Sequence, residues 1–376
     1  MVHLPEQAPA PARPETAAAL PPAALPPAAL SPAAEPPGRV TVRFRTVALR
    51  VIAGLGAGAL LLLTFLHLVD LSQVARHLDH LNPAFAACSA VAFLGAYVVR
   101  ALRWRRLLRP CRVSAGRSIA IYQVATFLNW LLPVQAGELA KSLLLKRSDG
   151  VPVSRSMATV GMDKTMDLLP AVAILTLVPL VGLHLNGLLW FVLIVTLGSL
   201  ALAAALLLFA LWQRDRTLAV LNRMLARVLR GRAQQHIEPA IVMFVDTVLA
   251  LIRQPRVLLV ATVYTGAAAS LDALSCLFSF KAVGVAVGLA VVFYGSTFLN
   301  LTFVLPTPPA HVGFTEFAGL LVFSGLLGVN RSGVAAMTLF SHPFDGLLLC
   351  GSALLGLGRL GLSLRSSLRL IRRGQT

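Results

Sequence analysis

Phe127-Leu128-Asn129-Trp130-Leu131-Leu132-Pro133-Val134-Gln135-Ala136-Gly137-Glu138 has a second version in this chain. It is Phe298-Leu299-Asn300, running through Leu305-Pro306 to Gly313 and Glu316. In each copy an apolar segment with a late asparagine is stopped by Leu-Pro, and a carboxylate then enters a second apolar segment. The echo continues downstream: Lys164 and Asp167 follow Glu138 by 26 and 29 residues, and His342 and Asp345 follow Glu316 by the same 26 and 29. Duplicated hydrophobic segments, interrupted by proline and glycine at matching places of two halves, mark the central site of a membrane transporter.

The composition agrees. The 376 residues are 57% hydrophobic and 13% charged, with a mean hydropathy of +0.78. Several windows exceed the ~18 apolar residues of a candidate membrane span, and residues 188–211 carry no charge at all. The fold class expected is an all-α polytopic membrane protein. The net charge of +18 reflects lysines and arginines gathered between apolar spans, where they set orientation. No nucleic-acid recognition motif accompanies them, so nucleic acid is not an expected partner. The four cysteines are scattered without a CxxC pair, which implies neither a disulfide framework nor a zinc site. His77, Asp79 and His80 form a weak metal-like triplet that reads better as a polar connector. No metal or cofactor is expected.

Residues 1–38 hold 11 of the 23 prolines and read as a disordered cytoplasmic leader. A first membrane repeat covers 39–187, with spans at 46–69, 84–102 and 162–183. Its broken, re-entrant element has a first arm at 118–132, a break at Pro133 and Gly137, and a second arm to 145. The first arm, at about 22 Å of helix, is too short to cross a ~30 Å hydrocarbon core upright. A second repeat covers 188–376, with spans at 188–211, 257–280 and 334–358 and a broken element at 285–327 around Pro306 and Gly313. Within it, residues 213–256 form a basic insert. There Leu218, Leu221, Leu225 and Val228 recur at helical spacing between arginines, which suits a helix on an anionic leaflet. Positive charge crowds the leader, 103–117, 141–155, 213–256 and the tail. That distribution places both termini in the cytoplasm and gives the two repeats inverted topology, with six full spans plus two broken elements.

An ionisable residue at membrane depth is costly and normally faces a cavity or a partner. Glu138 and Glu316 are candidates to line such a cavity; the alternative is that each caps the helix it opens. Asn129 and Asn300 suit either a bond to backbone freed at the break or contact with a headgroup. Asp163, Lys164 and Asp167 open the third span, where Lys164 has Asp167, Glu138 or a lipid phosphate as partners. His342 and Asp345 are the second-half counterparts, His342 being able to titrate near neutral pH. Arg100 and Arg103 are either snorkelling interface anchors or, with Lys141, a phosphate clamp at the cavity mouth. No catalytic motif such as GxSxG, a P-loop or HExxH is present, so an enzyme is not expected; the paired carboxylates and a histidine leave an intramembrane lipid-modifying activity as the alternative.

Arg-x-x-Arg-Trp at 100–104, Leu-Leu-Pro-Val-Gln-Ala-Gly-Glu at 131–138, Asp-Lys-Thr-Met-Asp at 163–167 and Leu-Pro followed by Gly-Phe-Thr-Glu at 305–316 together resemble the flippase-like family. This is the transmembrane region of lysylphosphatidylglycerol synthetases, which includes dolichol-phosphate-glucose synthetase-like membrane proteins. The resemblance covers residues 40–370. It implies a bacterial or archaeal inner-membrane protein that moves or modifies lipids. The soluble aminoacyl-transferring domain of the full synthetases has no counterpart here, so lysyl-lipid synthesis is not expected. Two positions depart from the family: Lys164 stands where an arginine is usual, and His342-Pro343 fills the second-half place. The function expected is translocation of an anionic lipid, a phospholipid or a polyprenyl-phosphate-linked one. The alternative is a non-transporting scaffold for a separate enzyme of lipid, hopanoid or surface-polysaccharide modification.

Overall fold

The computed structural model describes residues 44–132, 136–171, 232–302 and 307–362, with a few isolated positions between 173 and 223. The leader, Pro133, Pro306, residues 172 and 174–183 of the expected third span, all but isolated positions of 188–211, the leucine pattern at 218–228 and the tail beyond 362 lie outside the described residues. Among the described residues there are helices and loops and no strand.

Numbered in chain order, the described helices begin with α1 (Phe44–Leu68), α2 (Leu71–Asp79) and α3 (Pro83–Leu107). Helix α2 leaves α1 at 89°, and Asp70 makes the corner. Its carboxylate accepts from the Ser72 hydroxyl (2.6 Å) and the Ser72 backbone N–H (2.9 Å), capping α2. These bonds, the hydroxyl's first, hold this exposed carboxyl below the usual carboxylate range. Asn82 caps α3 and Pro83 fills its first turn, where a missing N–H costs nothing.

The first broken element is α4 (Ala115–Leu131) followed by α5 (Ala136–Asp149), and α6 (Val153–Met166) comes next. Then α7 (Arg232–Ile252) leads through Gln254 into α8 (Pro255–Ala282). The second broken element is α9 (Leu289–Thr302), a single 3-10 turn at Pro309–His311, then α10 (Phe314–Gly319), which relaxes into a π-helical stretch at Leu320–Leu326. Helix α11 (Arg331–Arg359) closes the described chain.

Among the described residues, α3, α8 and α11 are long and apolar enough to cross a membrane. The α1–α2 pair qualifies as a fourth. At 1.5 Å per residue the three run about 37–43 Å. Helices α4 and α9, with 17 and 14 residues, reach only about 25 and 21 Å and stop short of a ~30 Å core. Val91, Leu259, Val263, Leu347 and Leu355 point outward, each 66–73% exposed. Such rows suit acyl chains and would be a liability in water. The chain is a multi-pass membrane protein.

Packing is centred on α3 and α8. The pairs Phe85–Phe278, Ser89–Ser279 and Arg103–Thr265 show that they run antiparallel. Alanines and serines line the seam, including Ala92, Ala96, Ala268 and Ala273. Small residues allow the close approach that drives helix association in lipid, where hydrophobic burial gives little. Ser89 sits on Ser275 and Ser279 at 3.1 and 2.8 Å.

One placement differs from the sequence reading. Asp163, Lys164 and Asp167 do not open a span: they end α6, with Asp167 as its C-cap, and helix resumes only at Leu169. Hydropathy alone could not see α6, because its polar groups are satisfied inside the protein. The surface-helix reading of 218–228 lies outside the described residues; the C-terminal part of the insert packs on the protein, Leu249 and Leu251 of α7 being buried and Leu251 lying with Met162 and Met166 of α6.

Candidate functional site

Both breaks, both central helices, the end of α6 and the middle of α11 converge on one cavity of about 630 Å³. Arg100, Asn129, Glu138, Lys141, Lys164 and Asp167 line it from the first half; Asp272, Asn300, His342 and Asp345 line it from the second.

The first-half wall is built at the α4–α5 break. A helix start leaves N–H groups without partners, and here the Asn129 side chain supplies one. Its Oδ1 accepts from the Gly137 N–H at 2.7 Å, while its Nδ2 donates to Glu138 Oε1 at 2.8 Å. Asn129 therefore spans the break and aims Glu138. Gly137 is required by the approach of α5 to α4, because a Cβ there would lie 1.9 Å from the Ala125 carbonyl oxygen. Glu138 then takes two lysines: Lys141 Nζ at 3.0 Å from Oε2 and Lys164 Nζ at 3.1 Å from Oε1. Lys141 is almost wholly buried, with its ammonium 3.9 Å from the centre of the Tyr122 ring. Lys164 is half-exposed, and it is the cation most accessible from the cavity.

Behind this wall lies a tighter knot. Arg103 is fully buried and donates four hydrogen bonds: Nε to Asp163 Oδ1 (2.8 Å), Nη1 to Thr265 Oγ1 (2.9 Å), and Nη2 to the Asp163 carbonyl (3.0 Å) and Asp167 Oδ1 (2.7 Å). Tyr122 donates to the other oxygen of Asp163 at 3.2 Å. Arg103 thus holds α3, α6 and α8 together and does not line the cavity. Arg100 does line it, and it is not an interface anchor: both its Nη atoms bond the Asp272 carboxylate across the α3–α8 seam, with Asp167 at 3.7 Å from its Nε.

The second half repeats the acid–base pairing with different residues. His342 Nδ1 lies 2.6 Å from Glu316 Oε1, and its Nε2 lies 2.9 Å from the Ala310 carbonyl. The 26-residue spacing therefore joins a base to the break carboxylate in both halves. Trp130 of α4 meets the His342 ring edge-on at 6.5 Å between centroids, so the first broken element touches the second half's pair. Gly313, at φ 75°, lets the turn into α10 press on Gly58 of α1. Among the described residues Asn300 has no bond like those of Asn129; its side chain stands exposed in the cavity. Asp345 lines the cavity with an occluded Oδ1 that has no hydrogen-bond partner.

Most candidates line the cavity; Glu316 and Arg103 do not, being buried behind its wall, where Glu316 reaches the cavity only through His342, and Pro133 and Pro306 lie outside the described residues. Asp272, Tyr122, Trp130 and Thr265 were not anticipated. Asp272 had a signal: it is the sole carboxylate in the 28 residues of α8, and an intramembrane acid marks a site by default. Among the described residues no group of three or more His, Cys, Asp or Glu side chains has metal-binding geometry.

The family described as "Lysylphosphatidylglycerol synthase TM region" matches residues 51–350. A curated relative named "Glycosyltransferase AglD", from Haloferax volcanii, is 30% identical over 152 residues. That stretch is 40% of this chain and 24% of the relative, so the chain spans about a quarter of its length. No solved structure matches.

Proposed function

Since the chain belongs to the lysylphosphatidylglycerol synthase TM region family, we propose that it is a membrane lipid translocase. The headgroup of an anionic lipid crosses through the cavity while the acyl chains stay in the bilayer. One observation carries this reading: a polar cavity of headgroup size sits inside a bundle of apolar helices, with one broken helix of each half on its wall.

Each of the four cations here already has a carboxylate. A lipid phosphate therefore enters by exchange, taking Lys164 from Glu138 or Arg100 from Asp272. Both cations face the cavity, and Arg100 offers the fork geometry that matches phosphate oxygens. Arg103, sealed in its knot, keeps the walls in register.

The antiparallel run of α3 and α8 and the matching acid–base pairs support two inverted repeats. Such repeats alternate access by rocking about a fixed midplane site. The clusters of arginine and lysine support an inner-membrane orientation with both termini in the cytoplasm.

The test is reconstitution into vesicles of phosphatidylcholine and phosphatidylglycerol carrying a headgroup-reporting fluorescent phosphatidylglycerol. Wild-type protein should speed transbilayer movement over protein-free vesicles. The combined Glu138→Gln and Glu316→Gln variant should slow it by at least ~10-fold, the equivalent of about 1.4 kcal/mol of barrier. Equal rates in the two proteins would remove these carboxylates from the path.

The relative named a glycosyltransferase favours one second reading: a membrane platform that serves a separate glycan- or lipid-modifying enzyme through the basic insert. Because α7 packs on α6, substitution of Arg223, Arg227 and Arg230 is a cleaner test than deletion. Translocation that survives those substitutions, together with loss of the cellular phenotype, would select this reading.

A further inference from the structure

His342 is held between two oxygen atoms, and the chemistry of those atoms counts its protons. The Ala310 carbonyl can only accept, so the Nε2 facing it at 2.9 Å carries hydrogen. Nδ1 faces Glu316 Oε1 at 2.6 Å. A bare imidazole nitrogen opposite a carboxylate would set two lone pairs against each other at that distance. One proton must therefore lie between them, either on the carboxylic acid or on an imidazolium. In both forms the pair is electrically neutral, and losing that proton opens the contact.

What the contact holds gives the proton mechanical meaning. Through His342, helix α11 grips both pieces of the second break at once, the 3-10 turn through Ala310 and α10 through Glu316. The gripped turn is strained: Ala310 and His311 adopt φ values of 52° and 56°, a left-handed conformation that residues with a side chain seldom take. A turn of this kind is poised to relax when its clamp is released. Glu316 Oε2 is buried without a hydrogen-bond partner, so no other bond holds that carboxyl.

The groups facing the pair are few. Asp345 lies on α11 itself, His311 on the turn, and Asp272 and Cys276 on α8 beyond Asp345. Helix α4 presents Trp130, which carries no charge. With the pair neutral, Glu138, Asp163, Asp167 and Asp272 balance Arg100, Arg103, Lys141 and Lys164. Among the described residues of the site Asp345 alone is unmatched, and it lines the same cavity as His342, one helical turn further along α11.

We propose that Glu316 and His342 form a one-proton site that latches the second broken element, and that this proton is the ion coupled to headgroup movement. The proton reaches the pair from the cavity that His342 lines, and it leaves by the same route, with no other reactant. The coupling rests on the translocase reading; the proton count does not.

Two measurements separate them. The first is nitrogen NMR of histidine-labelled protein, with the His342 signal assigned through His342→Gln. In Glu316→Gln an amide N–H can donate to bare Nδ1, which preserves both contacts without a mobile proton. His342 should titrate in the wild type, and in Glu316→Gln it should stay a neutral imidazole through the same pH range. The same titration in both proteins would overturn the shared proton. The second measurement uses the fluorescent phosphatidylglycerol vesicles with pH gradients of opposite sign. At one proton per lipid, a one-unit gradient should shift the wild-type lipid distribution by up to about tenfold, in opposite directions for the two signs. Glu316→Gln should show no such dependence. Movement in the wild type that ignores the gradient would overturn coupling. No movement at all would instead overturn the translocase reading, with the NMR titration still deciding the proton site.

Discussion

Arg103→Met should be among the most destabilising single substitutions in this protein. The arginine is fully buried and makes four hydrogen bonds, three of them to Asp163 and Asp167. Without it, Asp163 stays buried with only the Tyr122 hydroxyl at 3.2 Å and Lys141 at 3.7 Å. Removing one partner of a buried ion pair costs about 3–5 kcal/mol, because the other charge is left stranded. Arg103→Lys keeps the charge but offers three donors to four acceptors, and should cost about 1.5–3 kcal/mol. In the double variant Arg103→Met with Asp163→Asn no charge is stranded, so its loss should fall well short of the sum of the single losses. The assay is equilibrium unfolding in mixed detergent micelles, followed by tryptophan fluorescence and checked for reversibility. Arg103→Met within about 1 kcal/mol of wild type would refute the reasoning, since it would mean that water reaches the knot.

Gly137→Ala should lower both stability and lipid movement, because the added Cβ meets the Ala125 carbonyl at 1.9 Å and Asn129 Oδ1 at 2.7 Å; micelle unfolding and the vesicle assay read the two effects. Asn129→Leu, close in size, removes both bonds that span the first break, and the freed Gly137 N–H together with the lost bond to Glu138 should cost about 1–3 kcal/mol in the same unfolding titration. Asp70 contributes stability that is present above the ordinary carboxylate pKa and lost as pH falls through its lowered value. The stability gap between wild type and Asp70→Ala should therefore be present at neutral pH and close in acid.

The repeat was legible because its parts are local. Proline and glycine mark each break, and the 26-residue interval from carboxylate to base survives as a contact in both halves, Glu138 to Lys164 and Glu316 to His342. The long apolar runs at 84–102, 257–280 and 334–358 became α3, α8 and α11 with ends moved by a few residues, as caps such as Asn82 dictate. What stayed hidden depends on partners distant in sequence. The bond from Arg100 to Asp272 joins positions 172 residues apart, and Arg103 looked like an interface anchor because nothing near it in sequence shows four acceptors waiting. Helix α6 was missed for the same reason, its acids being made tolerable at membrane depth by an arginine three helices earlier.

The central claim is that one cavity serves both faces of the membrane. Cys276 lines it, so a protein keeping only this cysteine, with Cys88, Cys111 and Cys350 replaced by alanine, carries its own probe; Thr126→Cys on the opposite wall, in a background without the others, compensates for slow reaction of a buried thiol. A membrane-impermeant thiol reagent applied to oriented vesicles from either side should label both positions from both sides, with lipid that moves through the protein slowing the reaction. Labelling from one face alone, unchanged by lipid, would contradict it.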